Sequence, residues 1–318
     1  MSILSPKFDS SDAFKAQNLY LLNNPPRPPK RMIKTPKVFL KEVGRKGSLN
    51  VYEYAFPSRI QTAQLKNNTV YGRYFKLSNV NPKSTFILLH GMHSKNYRYL
   101  EKHALNLARN GHNCITITLP YHIERATKSS ASGKQFLSTN LRIVFEALQQ
   151  AVKDVLSLVN WLSANGDKKI GLLGISLGGL IASYVSSATR KINYLVLLTP
   201  ATNPMQIMGY MSSGKTANDR IAKTGLTEKQ MLELTEPWDL KESKPHTPAN
   251  RTLILKAAYD AIVPSDSIEK VLDAWGKPQI IRYNHSHLSI LISRQVFKDI
   301  NKFLADTFRY QSSTGLLK

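Results

Sequence analysis

Apolar residues recur along this chain in two periods, and the switching between them predicts the elements. Residues 51–56 and 70–77 alternate between apolar and polar, as half-buried strands do, and predict an antiparallel pair at the edge of a larger sheet. Residues 85–89 are continuously apolar instead, which suits a strand buried on both faces. From Tyr97 the spacing turns helical through Leu100, Ala104, Leu107 and Ala108, and stops at Gly111. Residues 114–119 predict the next strand, after which Val144, Leu148, Val152, Val155, Val159 and Leu162 line one face of a long helix. Residues 170–173, 194–198, 252–256 and 279–283 read as further buried strands, and Leu288, Leu291, Val296, Ile300, Phe303 and Phe308 predict a last helix. Repeated strand–helix units of this kind predict an α/β fold with a mostly parallel central sheet flanked by helices. Ligands then belong at the carboxyl ends of the strands.

Breaks in the pattern divide the chain. Residues 1–50 form a basic, proline-rich N-terminal extension, 51–310 one main domain, and 311–318 a tail. Within the main domain, 201–250 is an insertion with helical stretches and no strong strand, of the length that usually carries function. Met205, Met208 and Met211 fall there at a spacing of three, with Met231 further on. Flexible thioethers suit a cap over a pocket for variable apolar groups, which makes Met205 and Met208 substrate-binding candidates; a helix packed on the core is the competing reading.

Composition narrows the class. A chain of 318 residues with 42% hydrophobic content can bury a large core. No run approaches a membrane span, and residues 1–11 lack the basic flank and apolar stretch of a signal peptide, so a soluble cytoplasmic protein is expected. The single cysteine, Cys114, lies in a predicted strand as a small core residue and allows neither an internal disulfide nor a metal cluster. Charge changes the picture more. The 44 Lys and Arg against 21 Asp and Glu leave +23, an excess that attracts anionic lipid, polyanions or acidic partners. Part of it is concentrated in Arg27, Lys30, Arg31, Lys34, Lys37, Lys41, Arg45 and Lys46, opposed only by Glu42. Pro25, Pro26, Pro28, Pro29 and Pro36 keep this arm extended. It is either a solvated arm wrapping the domain or a peripheral contact for an anionic membrane or polyanion. Zinc-finger spacing and aromatic–basic repeats are absent, so no specific nucleic-acid module is expected.

One segment carries chemistry. In KIGLLGISLGGL, residues 169–180, Ser176 stands between Gly174 and Gly178 where an apolar strand hands over to a helix with Leu180, Ile181, Tyr184 and Val185 in phase. A serine at so sharp a turn needs small residues two positions away on each side. It also needs a base, an acid to orient the base, and donors for a developing oxyanion. His285 and His287 are the candidate bases, and His287, beside the predicted start of the last helix, is preferred. Asp260, at the end of the strand from Thr252, is the candidate acid; Asp266 is more simply a helix cap.

The order Ser176, Asp260, His287, the elbow, the Asp-x-x-Val-Pro segment and the late His-Leu-Ser together resemble the α/β-hydrolase superfamily over residues 51–310. His90-Gly91 matches that superfamily's pair after its third strand. By this resemblance the backbone amides of Met92 and Leu177 form the oxyanion hole, and His90 shapes the loop. Two departures stand out. Ser286 occupies the place of a common glycine, and residues 119–125, LPYHIER, resemble a Pro-Tyr-His-x-x-Arg variant of some bacterial-type members. With His90, the residues Tyr121, His122 and Arg125 are therefore substrate-binding candidates, Arg125 for a carboxylate or phosphate. The alternative for Arg125 is a surface network around Glu124. The implied activity is a serine hydrolase of esters, thioesters or acylglycerols, requiring no metal or organic cofactor. The other reading is a catalytically silent protein of the same fold that docks on an anionic membrane or partner through its basic arm.

Overall fold

The structure is a computed structural model that describes residues 10–30, 33–78, 80–127, 131–210, 215–263 and 265–314. Arg31, Met211, Pro264 and the last part of the tail, 315–318, lie outside the described residues. Helix α1 (Ser10–Asn23) leads through the proline-rich stretch to an antiparallel run of β1 (Phe39–Lys46), β2 (Leu49–Pro57) and β3 (Thr69–Leu77). Alternation begins with β4 (Thr85–Leu89), α2 (Arg98–Arg109), β5 (Asn113–Ile117), α3 (Leu141–Ala164), β6 (Ile170–Ile175), α4 (Leu177–Ala188) and β7 (Ile192–Leu198). The insertion supplies α5 (Pro204–Tyr210), α6 (Lys215–Thr224) and α7 (Glu228–Thr235). Then β8 (Thr252–Tyr259), α8 (Ser265–Ala274), β9 (Gln279–Ser286) and α9 (Arg294–Thr314) close the chain.

The strands form one nine-stranded sheet in the order β1-β2-β3-β5-β4-β6-β7-β8-β9. From β5 to β9 every pairing is parallel, as the strand–helix alternation predicts. These strands are apolar throughout because each is covered twice: Leu172, Leu195 and Leu197 join a core with α3 and α4, while Leu173, Tyr194 and Val196 join a core with α2 and α9. The chain leaves β4 for β5 on one side and returns through α3 to β6 on the other. That reversal opens a crevice at the carboxyl ends of β4 and β6, where Leu89 and Gly174 are in register.

Two parts of the structure differ from the pattern-based reading. The first 50 residues contribute α1 and β1. Buried Asn18 ties α1 down, donating to Thr139 O and Thr224 O at 2.9 Å each and accepting from Leu141 N at 3.0 Å. β1 is exposed along its whole length and carries Lys41, Glu42, Arg45 and Lys46, charges suited to a sheet edge. The last helix begins at Arg294, not Leu288, because a 3-10 turn, Ser289–Ile292, intervenes. Ser286 and Ser289 stabilise it by exchanging bonds, Ser286 N to Ser289 Oγ at 3.0 Å and Ser289 N to Ser286 Oγ at 3.3 Å. This gives Ser286 a use for a hydroxyl where glycine is common. Among the described residues no helix is long and apolar enough to cross a membrane.

Candidate active site

Ser176 follows β6 directly with φ 52° and ψ −114°, a conformation that L-residues rarely hold without support. The support is backbone bonding on both sides: its N–H donates to Leu198 O at 3.0 Å, and its carbonyl accepts from Ala201 N at 3.2 Å. The flanking glycines are required by contact. A Cβ at Gly174 would lie 2.4 Å from Gly178 O, and one at Gly178 would lie 2.4 Å from Leu89 O. Leu177 opens α4, so its amide is among those that no carbonyl within the helix can satisfy.

Across the crevice, Asp260 follows β8 and His287 follows β9, beside an irregularity in the β8–β9 register between Ala257 and Tyr259. His287 Nδ1 lies 2.7 Å from Asp260 Oδ2, and both side chains are buried. The other oxygen of Asp260 accepts from Ile262 N and Val263 N at 2.8 Å each, so the carboxylate is fixed from both ends. With Nδ1 donating to the carboxylate, Nε2 is left as the basic nitrogen. His285 lies on β9 itself and meets Ser289 Oγ at 3.2 Å instead. Asp266 is exposed in the first turn of α8.

His90 is not a wall of the cavity but a brace behind it. Its Nε2 accepts from Leu119 N at 3.0 Å, so Nδ1 carries the proton and donates to Gly91 O at 2.8 Å. Burial lowers its pKa to about 4, which keeps it in this neutral form. Ser94 Oγ also donates to Gly91 O, at 2.9 Å, and Gly91 N donates to Tyr99 Oη at 2.9 Å. In a trans peptide the carbonyl and the next N–H point opposite ways, so two donors on Gly91 O also fix the direction of the Met92 amide. Gly91 itself abuts the serine: a Cβ there would lie 3.5 Å from Ser176 Cβ.

Ser176 and His287 line one cavity of about 470 Å³. Its walls are Met92, Ile175, Ile207, Ile262, Val263, Leu288 and Leu291, with His93, Ser94, Lys95, Asn96, Tyr99 and Gln206 adding polar groups. The expected substrate contacts from residues 119–125 are corrected here. Arg125 is fully buried and donates to Asp154 Oδ2 at 2.9 Å, to Thr118 O at 3.0 Å, and to Asn67 O at 2.7 Å and 3.1 Å. It neither reaches the cavity nor joins Glu124, which accepts from Tyr97 Oη and Thr118 Oγ1. Tyr121 packs into the core, its N–H on Asn67 Oδ1 at 2.9 Å. His122 is buried against His90 and Phe136, its Nδ1 donating to Pro120 O at 2.8 Å. Buried partners on distant elements have captured this loop and turned it away from the crevice.

The cap is corrected too. α5 presents Gln206 and Ile207 to the cavity, whereas Met208 is buried in the core and Met205 packs partly against it. The three-residue methionine spacing marks the other face of α5 and leaves Ile207 without a signal in the sequence, whereas Ile262 and Val263 belong to the Asp-x-x-Val-Pro segment that holds Asp260. Among the described residues no group of three or more His, Cys, Asp and Glu is placed to hold a metal ion.

Residues 57–236 match the sequence model of the family described as Alpha/beta hydrolase domain containing 18. Two uncharacterized proteins from strains of Mycobacterium tuberculosis are each 27% identical over 188 residues, 58% of this chain and 44% of theirs. The match thus spans less than half the length of these curated relatives. Solved structures share the fold. Acetyl Xylan Esterase 1 from Thermoanaerobacterium sp. JW/SL YS485 has a TM-score of 0.65 at 14% identity, covering 94% of this chain and 93% of that one. The acetyl xylan esterase from Paenibacillus sp. R4 has 0.64 at 14%, covering 94% and 96%. A cold-adapted esterase from an Arctic intertidal metagenomic library has 0.56 at 17%, covering 82% and 95%.

Proposed function

The chain belongs to the family described as Alpha/beta hydrolase domain containing 18, and from that premise we propose that it is a serine hydrolase acting on carboxylic esters with apolar acyl groups. The observation that carries this reading is the pairing of a strained serine with a carboxylate-held imidazole on the walls of one largely apolar cavity. Ser176 Oγ attacks the ester carbonyl while His287 Nε2 takes its proton, and Asp260 steadies the imidazolium that results. The amides of Met92 and Leu177 hold the oxyanion, the first aimed by the bonds to Gly91 O and the second free at the start of α4. His287 returns the proton to the leaving alcohol. Water, deprotonated by the same imidazole, then releases the acid and restores Ser176. The apolar groups of the walls favour an acyl chain over a sugar or a charged moiety.

Hydrolysis of a p-nitrophenyl ester series tests this. Rates are expected to rise from acetate to a medium-length acyl chain, and Ser176→Ala is expected to remove at least about 10³-fold of kcat/KM. Equal rates for the variant and the parent chain would contradict the proposal. So would a steady fall in rate from acetate upward.

A further inference from the structure

We propose that the recess beneath the proline-rich arm is an anion site that binds a compound bearing two or more phosphate groups. The recess, of about 660 Å³, shares no lining residue with the catalytic cavity. Four cations line it, Arg27 and Lys30 from the arm, Arg59 after β2, and Lys153 from α3, together with Pro28, Pro29 and Ile33. Among the described residues that line it, none is acidic. The nearest acid in sequence, Asp154, points inward and is already held by Arg125 and by Ser58 Oγ at 2.7 Å. Among the described residues, none of the four cations pairs with a carboxylate. Like charges converging on one recess repel, and a bound anion relieves that repulsion.

The recess is also built rather than collapsed. The arm's prolines lack N–H groups, and its carbonyls are held at both ends of the span: Pro26 O by Trp238 Nε1 at 2.6 Å, Arg27 O by Gln149 Nε2 at 3.2 Å, Ile33 O by Asn160 Nδ2, and Lys34 O by the Arg59 guanidinium. Side chains from α3, the cap region and Arg59 thus hold the arm's backbone on both sides of Lys30, so on binding the exposed side chains of Arg27, Lys30 and Arg59 need ordering but the backbone beside them does not. Guanidinium groups match phosphate oxygens in pairs, and lysines add point charge. Cations from three separate chain segments fit two phosphates better than one.

Calorimetric titration of the full chain with inorganic pyrophosphate, with inorganic phosphate as the weaker comparator, tests the site. Pyrophosphate is expected to bind one to one and more tightly than phosphate. Arg59→Gln/Lys153→Gln and, separately, Arg27→Gln/Lys30→Gln are each expected to weaken it at least about tenfold, whereas Lys41→Gln/Arg45→Gln on β1 leaves affinity within about twofold. Sedimentation with phosphatidylcholine vesicles, with and without phosphatidylinositol 4,5-bisphosphate, separates the sources. Binding only to the acidic vesicles, displaced by pyrophosphate, identifies a lipid-borne phosphate; pyrophosphate binding without vesicle binding identifies a free compound. No pyrophosphate binding, or equal loss in the β1 pair and in the recess variants, overturns the proposal.

Discussion

At the scale of single residues, the chemistry of the site is more legible than its surroundings. Ser176 announces itself through the two glycines that steric contact demands. The choice between His285 and His287 does not, because positions two apart on an extended chain face the same way. What separates them is where β9 ends, at Ser286. Arg125 misleads for a different reason. Its partner Asp154 is 29 positions away, midway along α3 among apolar neighbours, and an acid on a buried helical face was the available signal. Breaking that buried pair exposes its role. Asp154→Ala leaves the Arg125 charge uncompensated and is expected to destabilise the fold by about 3–5 kcal/mol. A denaturant titration measures this, and KM for an ester substrate is expected to stay unchanged in the folded protein. A raised KM with full stability would return Arg125 to the substrate.

At the scale of elements, the strands were readable because burial on both faces leaves continuous apolar runs, and the helices because α3 and α9 each keep one apolar face. Elements without such a signature were not. β1 is exposed on both faces and shows no alternation between core and solvent, so only its pairing with β2 reveals it as a strand. The turn after β9 is invisible in the pattern, since Leu288 and Leu291 keep helical phase across it. The cap helix α5 gives the sharpest test at this scale. Ile207→Trp fills part of the cavity and is expected to shift the ester preference to shorter acyl chains. Met208→Ala is expected to cost about 2 kcal/mol or more of stability with the chain-length profile unchanged. A profile that follows Met208 and ignores Ile207 would reverse the assignment of the two faces.

At the scale of the whole molecule, fold class followed from the order of elements, whereas the packing of the first 50 residues followed from contacts with no local trace. Asn18 reaches Thr139 and Thr224, and Trp238 reaches Pro26 across 212 positions. Burial also gives the molecule a pH dependence. His90, His103 and His112 are lowered from 6.5 to about 4, chiefly by desolvation, and His122 falls well below 6.5 for the same reason. As the pH falls below about 6.5, the unfolded chain takes up protons that the native state refuses. Stability is therefore full above that value and is lost toward pH 4, by up to about 1.4 kcal/mol per pH unit for each histidine. Denaturant midpoints measured across this range are expected to fall steadily, and a flat profile would mean that these imidazoles are accessible to protons in the native state.

The proposed hydrolysis stands on Ser176 as a nucleophile activated by His287. A fluorophosphonate probe, followed by peptide mass spectrometry, tests it most directly. A single adduct on Ser176 is expected in the parent chain, no adduct in Ser176→Ala, and labelling slowed by orders of magnitude in His287→Ala. An unmodified Ser176 under conditions that label a control esterase, or labelling that does not depend on His287, would contradict it.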